Sequence, residues 1–451
     1  MATVLVSGDR VSGETSADVR PGTPGVVGFL LGSGAAVVGV QLPGLGSASA
    51  LTCALVLLGA GVAALSSIGT VRTLRLGAID LVFLLYVLVL IATELINAIG
   101  LRHDVYLGTA YVATLAYVAF VSARMVCASI AHAFRFLRAL ALPGVGVAIV
   151  ALMQMAGVPG INAFLLGFVH SEGLERRIDA GWSLRATSTI GHWTALGGYL
   201  SCILFALCAA ILIGRMIGRR PAGLWMSLAV VFIGLLATLT LATIFLGAVL
   251  VVATFVLLKV PLRLLVTLAV TGTASWVFFG EELLARLDQQ RQASPYVPPE
   301  FSWLPETIAY RIGVWSRETI PSIGERPFLG WGADVYASAP KGWPIRPEAL
   351  VWLSPESQWF RTWLESGFLA LVLLALLLVL ALRVLRRVHL LSLPGAKPLG
   401  RLAVLWLLGL VAISCIHSHL SNPGVPLPMW ACIGAMAGVL ARERPQREAR
   451  A

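Results

Sequence analysis

Apolar runs long enough to cross a lipid bilayer recur along almost the whole chain. Hydrophobic residues make up 58% of its 451 residues and charged residues only 12%, about half the charged fraction of a soluble protein. A helix needs roughly 20 apolar residues to cross the hydrocarbon core. Segments of this kind are predicted at 26–42, 50–69, 77–99, 105–126, 139–156, 191–214, 222–239, 241–258, 262–280, 362–382, 402–420 and 427–441. The predicted fold class is an all-α polytopic membrane protein with about 12 transmembrane helices and a large helical extracytoplasmic loop.

The run 222–258 contains two of these segments without a polar break between them. As one helix rising ~1.5 Å per residue it would reach about 55 Å, almost twice the thickness of the hydrocarbon core. We therefore expect a helical hairpin that turns near Thr240.

Basic clusters predict the orientation of the bundle. Lysine and arginine concentrate in the cytoplasmic loops of membrane proteins, and twelve spans with both termini inside put every cluster on that side. The clusters are Arg72 and Arg75, Arg135 and Arg138, Arg215 with Arg219 and Arg220, Lys259 and Arg263, Arg383 with Arg386 and Arg387, Lys397 and Arg401, and the tail from Arg442 to Arg450. The net charge of +11 is explained in this way, without a nucleic-acid partner.

The same orientation divides the chain into parts. Cytoplasmic tails are expected at 1–25 and 442–451, spans one to nine within 26–280, and spans ten to twelve within 362–441. The extracytoplasmic loop is expected at 281–361, with a shorter polar connection at about 157–190 on the same face. Because the polar segments then lie outside the cytoplasm, we expect a multi-pass protein of the bacterial inner (plasma) membrane.

No metal or cofactor is expected. All six cysteines lie in apolar segments, which argues against a disulfide framework or a thiolate metal site. Acidic pairs of the DxD type are absent from the sequence.

The extracytoplasmic loop carries arginine and tryptophan residues that favour a functional site. A guanidinium can hold phosphate oxygens in a bidentate fork, and Arg311 falls in a predicted helix with Trp315 and Glu318 on the same face. Arg317 is a further candidate. The alternative is a solvated face whose charges pair with one another. The loop tryptophans, Trp331 among them, could pack together or stack on sugar rings, and both interpretations stay open.

Glu356 is the candidate general base. It precedes Ser357 and Gln358 at the start of a predicted span, where partial loss of solvent raises the proton affinity of a carboxylate. A helix-terminal carboxylate favoured by the helix dipole is the alternative. His417 and His419, at the outer end of another span, are interpreted as polar residues of a helix end.

A second polar segment leads into the membrane at 185–192. Arg185 is followed by three hydroxyl residues and then by His192. Polar residues at the outer start of a span are costly in lipid and usually face a polar cavity, where helix N-terminal amides add to anion binding. We expect this segment and the large loop to form two halves of one site.

Four motifs, in this order, resemble the O-antigen ligase and polymerase superfamily of lipid-linked glycan transferases. They are the segment Arg185–His192, the Arg-x-x-x-Trp of Arg311 and Trp315, the Pro-Phe-Leu-Gly-Trp-Gly of 327–332, and the dyad Glu356-Ser357 ahead of Leu-Glu-Ser-Gly at 364–367. The resemblance covers about residues 180–440.

Two departures from the family pattern matter. A histidine-led dyad usually stands where Glu356-Ser357 does, so the resemblance favours a polymerase or another glycan transferase over a lipopolysaccharide ligase. The family also often has an arginine at the outer start of the eighth span, which 241–247 lacks. A pyrophosphate would therefore depend on other arginines.

The resemblance implies an inverting, metal-independent glycosyltransferase of the GT-C type. Its donor would be a glycan on undecaprenyl pyrophosphate and its acceptor a glycan hydroxyl. The lipid bilayer would surround it, and a chain-length regulator or a flippase would be its partner protein. Glu356 would remove the acceptor proton. The residues implied for the donor pyrophosphate are Arg185, Arg311, Arg317 and Arg361, and those lining the substrate are His192, Trp315, Trp331, Ser357 and Gln358.

Three other functions stay open. O-antigen ligation onto lipid A-core or another acceptor uses the same chemistry as polymerisation. A transporter or flippase for a lipid-linked sugar or small solute would need polar residues deep in several spans, for which Glu94, Asn97 and Asp80 are the candidates. A non-catalytic assembly scaffold is the third.

Overall fold

The part of the chain that the structure describes is helical. The computed structural model describes residues 22–41, 48–68, 76–179, 184–219, 221–259, 299–338, 342–351, 354–391 and 396–448, with a few positions between 280 and 288. The one β-bridge among these residues joins Val40 to Val169. For this part of the chain, the prediction of an all-α fold is confirmed.

Eight of the described helices are long and apolar enough to cross a membrane. The helices in chain order are Thr23–Ala36 (α1), Ala48–Ser67 (α2), Ala78–Leu101 (α3), Gly108–Val126 (α4), Ile130–Met155 (α5), Ile161–Phe168 (α6), Glu172–Asp179 (α7), Trp193–Met216 (α8), Ala222–Leu236 (α9), Leu241–Leu258 (α10), Glu306–Val314 (α11), Ile320–Glu325 (α12), Gln358–Val388 (α13), Ala396–Ile413 (α14) and Pro426–Glu448 (α15). The eight are α2 to α5, α8, α10, α13 and α14, and α1, α9 and the first part of α15 are shorter apolar helices. These helices make the chain a polytopic membrane protein.

Most predicted spans coincide with a described helix, although several boundaries differ by six residues or more, those of α5 and α14 among them. α5 begins at Ile130, well before residue 139, because Ser129 caps it by accepting the His132 N–H at 3.2 Å. α14 ends at Ile413 rather than at 420. Between α9 and α10 the chain turns at 237–240, as predicted. The predicted span 262–280 lies outside the described residues, so the number of spans stays a prediction.

α8 is the central helix of the bundle. Every residue from Ala195 to Gly214 is buried, and α5, α9, α10, α14 and α15 pack around it. Glycines allow α10 and the connection between α14 and α15 to approach α8 closely. A Cβ on Gly197 would lie 2.5 Å from Thr243 Oγ1, and one on Gly198 would lie 2.8 Å from His419 Nδ1. Small residues at helix contacts are common in membrane proteins.

Several connections meet at the end of the bundle where α8 begins, which we call the site end. The Thr189 hydroxyl donates to the carbonyl of Ala36, at the end of α1, at 2.6 Å. At the opposite end, Arg215 of α8 donates to the carbonyl of Leu258 in α10 at 3.2 Å. Lys259 therefore lies at the opposite end, whereas α13 begins at the site end.

The Pro-Phe-Leu-Gly-Trp-Gly segment is locked against a break in α13. The backbone N–H of Trp331 donates to Leu364 O at 2.8 Å, and that of Phe368 donates to Pro327 O at 3.0 Å. Gly367 has a φ of 79° at the break, where a Cβ would overlap a backbone carbonyl of the segment. Glycine is needed here both for its positive φ and for the close approach.

Two polar residues of α3 hold the same segment. The Glu94 carboxylate accepts the backbone N–H of Tyr106 at 2.7 Å and that of Ala333 at 2.6 Å. The Asn97 amide donates to Leu329 O at 2.9 Å. Both side chains are buried, so their polarity is used to attach the loop to the bundle.

Candidate functional site

One face of α11 and of the turn that continues it contacts Val351, Pro355 and Glu356. The three contacts are Arg311 Nη2 to Glu356 Oε2 (3.0 Å), Trp315 Nε1 to Pro355 O (2.6 Å) and Val351 N to Glu318 Oε2 (3.1 Å). Arg311, Trp315 and Glu318 share a helix face, as the sequence spacing predicts. The helix widens into a π-turn over Trp315–Thr319, a feature that is frequent at functional sites.

The Arg311–Glu356 ion pair has binding capacity that the protein does not use. The Arg311 side chain is 9% exposed and that of Glu356 is 25% exposed. Arg311 Nη1 donates to Thr307 O, while its Nε is buried without a hydrogen-bond partner. Glu356 has a φ of 52°, a conformation that costs a non-glycine residue about 1–3 kcal/mol and is enriched at functional sites.

Two histidines between α14 and α15 complete this side of the site. His417 Nδ1 lies 3.8 Å from Glu356 Oε2, and the rings of His417 and His419 are 5.2 Å apart. His419 Nε2 is buried without a hydrogen-bond partner. Gln358 positions this connection, because its side-chain oxygen accepts the Leu420 N–H at 2.9 Å.

Arg185 is buried and closes the turn between α9 and α10. Its guanidinium donates to Thr238 O at 3.0 Å, to Leu239 O at 3.1 Å and to Thr240 Oγ1 at 3.0 Å. It also lies 4.9 Å from the centre of the Trp193 ring, within the range of a cation–π interaction. The guanidinium is thereby held rigidly at the site end.

The residues after Arg185 are held by Gln154, near the end of α5. The Gln154 side-chain oxygen accepts the backbone N–H of Thr187 at 2.9 Å and that of Ser188 at 3.1 Å. Ser188 has a φ of 47°. His192 then caps α8, with its Nδ1 lying 2.8 Å from Thr194 Oγ1. Its ring is exposed to solvent.

Charged groups of the 185–192 segment and of α11 act on His417. Burial lowers the pKa of His417 well below its ordinary value, and the nearby groups that lower it further are His419, Arg311, Arg185 and His192. Charged groups act on one another in this way only when they are close and poorly screened by solvent. Groups of the 185–192 segment and of the large loop therefore both lie near His417.

The site carries a positive charge at neutral pH. Burial lowers the pKa of His419 to about 4. The surrounding protein and the charges of Arg185 and Arg177 lower the pKa of His192 as well. With these imidazoles neutral, Arg311 pairs with the Glu356 carboxylate, and Arg185 adds a positive charge near His417. An anion that reaches these side chains is attracted by this balance.

The other two predicted arginines are placed differently. Arg361 pairs with Glu365 one helical turn away in α13, at 2.8 Å, and Glu365 is buried. Arg317 is exposed, and no described contact joins it to Arg311 or Glu356. The structure gives Arg361 a partner that stabilises α13, and among the described residues it joins Arg317 to neither Arg311 nor Glu356.

Two predicted lining residues are also packed into the fold. Trp331 is 5% exposed, and its indole N–H donates to Ser322 O at 2.7 Å. Trp331 therefore occupies a core position rather than a lining one. Ser357 is buried next to Glu356, where its carbonyl accepts the Arg361 N–H at 2.9 Å. Trp315 stays beside the ion pair, with its ring 5.3 Å from that of Phe360.

The sequence interpretation missed the role of the histidines. His417 and His419 were expected to be helix-end residues, whereas the structure places them against Glu356 and α8. The signal that could have identified them is the His-Ser-His spacing followed by Asn422 at one helix end. In the described part of the chain, no group of three or more metal-ligating side chains comes together, and independence from metal stays a prediction.

Comparison with known proteins assigns no family to the chain. No family model matches it, and no curated protein matches it. The function proposed below therefore depends on the four motifs and on the geometry around Glu356.

Proposed function

We propose that the chain is an inverting, metal-independent glycosyltransferase of the GT-C type acting at the outer face of a bacterial plasma membrane. Its donor is a glycan on undecaprenyl pyrophosphate, and its acceptor is a hydroxyl of another glycan. The observation that carries the proposal is the partly exposed Arg311–Glu356 pair with His417 beside it. This arrangement combines an anion-binding group with a candidate base.

Arg311 and Arg185 would supply the positive charge that a departing pyrophosphate needs. The buried Nε of Arg311 has no partner, so the guanidinium can take a phosphate oxygen as well as, or in place of, Glu356. Arg185 is held in place by the turn between α9 and α10. Fixed groups of this kind stabilise the charge that develops in a transition state, and losing one typically costs about 10²–10³ in rate.

Glu356 would accept the proton of the acceptor. The acceptor oxygen attacks the anomeric carbon while the bond from that carbon to the pyrophosphate oxygen breaks, which inverts the configuration. The hydroxyl proton passes to the Glu356 carboxylate, and undecaprenyl pyrophosphate leaves with the electron pair. A donor phosphate bound to Arg311 would compete with the carboxylate for the guanidinium and leave the carboxylate free to accept the proton.

His417 would assist this step from a different part of the chain. The resemblance leads to the expectation of a histidine at position 356, where this chain has glutamate. His417 brings an imidazole within 3.8 Å of that glutamate. A neutral imidazole can orient the carboxylate or take the proton from it.

Polar contacts in the spans favour a transferase over a transporter. Glu94 and Asn97 are bonded to the backbone of other segments, and Asp80 pairs with Arg124 at 2.7 Å. Residues of a proton or ion pathway face cavities and exchange partners. Ligation onto lipid A-core is the alternative for the acceptor, and a chain-length regulator or flippase is the proposed partner.

A reconstituted transfer reaction tests the proposal. Purified protein in nanodiscs would be incubated with a labelled undecaprenyl-pyrophosphate oligosaccharide and analysed for glycan products. We expect a longer glycan of inverted anomeric configuration, equimolar release of undecaprenyl pyrophosphate, and the same rate in the presence of EDTA. Donor movement across the bilayer of proteoliposomes without product would contradict the proposal and favour a transporter.

A further inference from the structure

A groove of about 570 Å³ lies at the opposite end of the bundle from the candidate site. It runs between α5 and α9, with α8 behind it. Its apolar wall includes Leu142 and Val145 of α5, Leu207 of α8 and Leu224 of α9. Leu142 is 59% exposed, so the groove opens sideways towards the region that lipid occupies around a membrane helix.

Three arginines line the groove above this wall. They are Arg135 and Arg138 of α5, and Arg219, which lies just before α9. Arg138 and Arg219 are exposed, and the Arg219 guanidinium lies 5.6 Å from the centre of the Phe134 ring. None of the residues described as lining the groove is acidic. The groove therefore combines a cationic rim with an apolar wall that is open to lipid.

We propose that this groove binds a diacyl phospholipid with an anionic headgroup. The phosphate lies among the arginines, and an acyl chain lies along Leu142, Val145 and Leu224. Basic pockets between membrane helices bind anionic headgroups in this way. Free phosphate uses the arginines but leaves the apolar wall uncovered, and a zwitterionic lipid fills the wall with less attraction to the rim.

The lipid site is independent of the proposed function. α8 has 24 residues and is therefore roughly 36 Å long, and the two sites lie near its two ends. Loss of glycan transfer would leave this inference untouched, and loss of lipid binding would leave the proposed function untouched.

Gly223 provides a way to block the groove without changing its charge. It lies in the first turn of α9 and lines the groove. A Cβ on this residue would meet nothing within 4 Å. Gly223→Leu is therefore expected to fold and to place its side chain where the lipid would lie.

Native mass spectrometry of the delipidated full-length protein tests the inference, with phosphatidylglycerol, phosphatidylcholine and inorganic phosphate as separate probes. We expect phosphatidylglycerol to bind more tightly than phosphatidylcholine and to resist millimolar phosphate. Each arginine near a headgroup contributes about fivefold in affinity. Arg135→Gln, Arg138→Gln and Arg219→Gln together should therefore weaken binding by on the order of 100-fold.

Two further variants keep the test decisive if the triple variant does not fold. Gly223→Leu should also weaken phosphatidylglycerol binding, and Arg138→Gln alone should weaken it about fivefold. The matched control is Arg387→Gln, because Arg387 is an exposed arginine near the end of α13 that does not line the groove. Wild-type affinity in Gly223→Leu and Arg138→Gln would overturn the inference, as would equal binding of the two lipids or competition by phosphate.

Discussion

Two arginine–glutamate pairs flank the start of α13, and their surroundings differ. Arg311 and Glu356 are 3.0 Å apart, and Arg361 and Glu365 are 2.8 Å apart. The Glu365 side chain is only 2% exposed and also accepts the Thr109 hydroxyl at 3.3 Å. The Glu356 side chain is 25% exposed, and its neighbours include His417.

The difference teaches how one pair of residue types can serve two purposes. The backbone carbonyl of Glu365 accepts the Gly332 N–H at 2.9 Å, so the second pair lies where the loop is attached to α13. The first pair has a partnerless nitrogen on Arg311 and a positive φ at Glu356. Unused binding capacity, backbone strain and access to solvent together point to function, whereas satisfied bonds point to structure.

Removing the charge of each glutamate should separate the two purposes most strongly. Glu356→Gln should lower glycan transfer by about 10²–10⁴, because general base catalysis contributes that much, while the protein stays folded. Glu365→Gln should instead destabilise the fold by about 3 kcal/mol, because it leaves a partly buried Arg361 without its charge partner. Transfer assays and thermal unfolding in detergent measure the two effects. Normal transfer by Glu356→Gln would exclude it as the base.

A methyl group at the break in α13 should lower the stability of the fold only. Gly367→Ala would place a Cβ against a backbone carbonyl at a φ of 79°, so we expect a loss of at least about 2 kcal/mol from strain and overlap. Gly61→Ala is the matched control, since a Cβ at Gly61 of α2 would meet nothing within 4 Å. An equal unfolding temperature for both variants would show that the loop is not attached as described.

Acid should lower the stability of the part of the fold that holds Arg311 and Glu356. The pKa of His419 is lowered to about 4, against about 6.5 for an unfolded histidine, so the unfolded chain binds more protons between these pH values. Stability is therefore complete above pH 6.5 and falls by up to about 1.4 kcal/mol per pH unit below it. His192 also lowers the pKa of His419, and Arg185 lowers the pKa of the neighbouring His417.

Unfolding temperatures measured between pH 7 and pH 5 check this prediction. His419→Gln should flatten the pH dependence, whereas His389→Gln, after the end of α13 and remote from the site, should not. An unchanged slope in His419→Gln would mean that the buried imidazole does not contribute to the loss of stability.

Substitutions of two tryptophans should show the smallest effects on stability and transfer. They compare the pair Arg361–Glu365, which supports the fold, with the pair Arg311–Glu356 of the candidate site. Trp331→Phe removes the indole bond to Ser322 O and should cost about 1 kcal/mol of stability, with transfer by the folded protein unchanged. Trp315→Phe removes the bond to Pro355 O, next to Glu356, and should lower transfer. If Trp331→Phe lowers transfer as much as Trp315→Phe, the division between the two sides does not hold.

Local patterns in the sequence predicted the parts of the structure that depend on local spacing. Hydropathy identified most helices and the hairpin near Thr240, and helical spacing put Arg311 and Trp315 on one face. The spacing of Arg361 and Glu365 also predicts an ion pair. Arg361 was nevertheless assigned to the pyrophosphate, because residue type alone does not reveal which partner an arginine takes.

Contacts between distant parts of the chain could not be predicted in the same way. The bond from Asn97 to Leu329 joins residues 232 positions apart, and the approach of His417 to Glu356 depends on how α13 and α14 pack. No periodicity in the sequence records such pairings. The position of His417 beside Glu356 was therefore visible only in the folded chain.

The central claim is that Arg311 binds the diphosphate of the donor while Arg361 supports the fold. The most direct measurement is the affinity of undecaprenyl pyrophosphate for the purified protein in nanodiscs. Because a charged hydrogen bond contributes about 1.5–3 kcal/mol, Arg311→Ala should weaken binding by roughly 10- to 100-fold, and folded Arg361→Lys should bind as the wild type does. Wild-type affinity in Arg311→Ala, or a loss confined to Arg361→Lys, would contradict the claim.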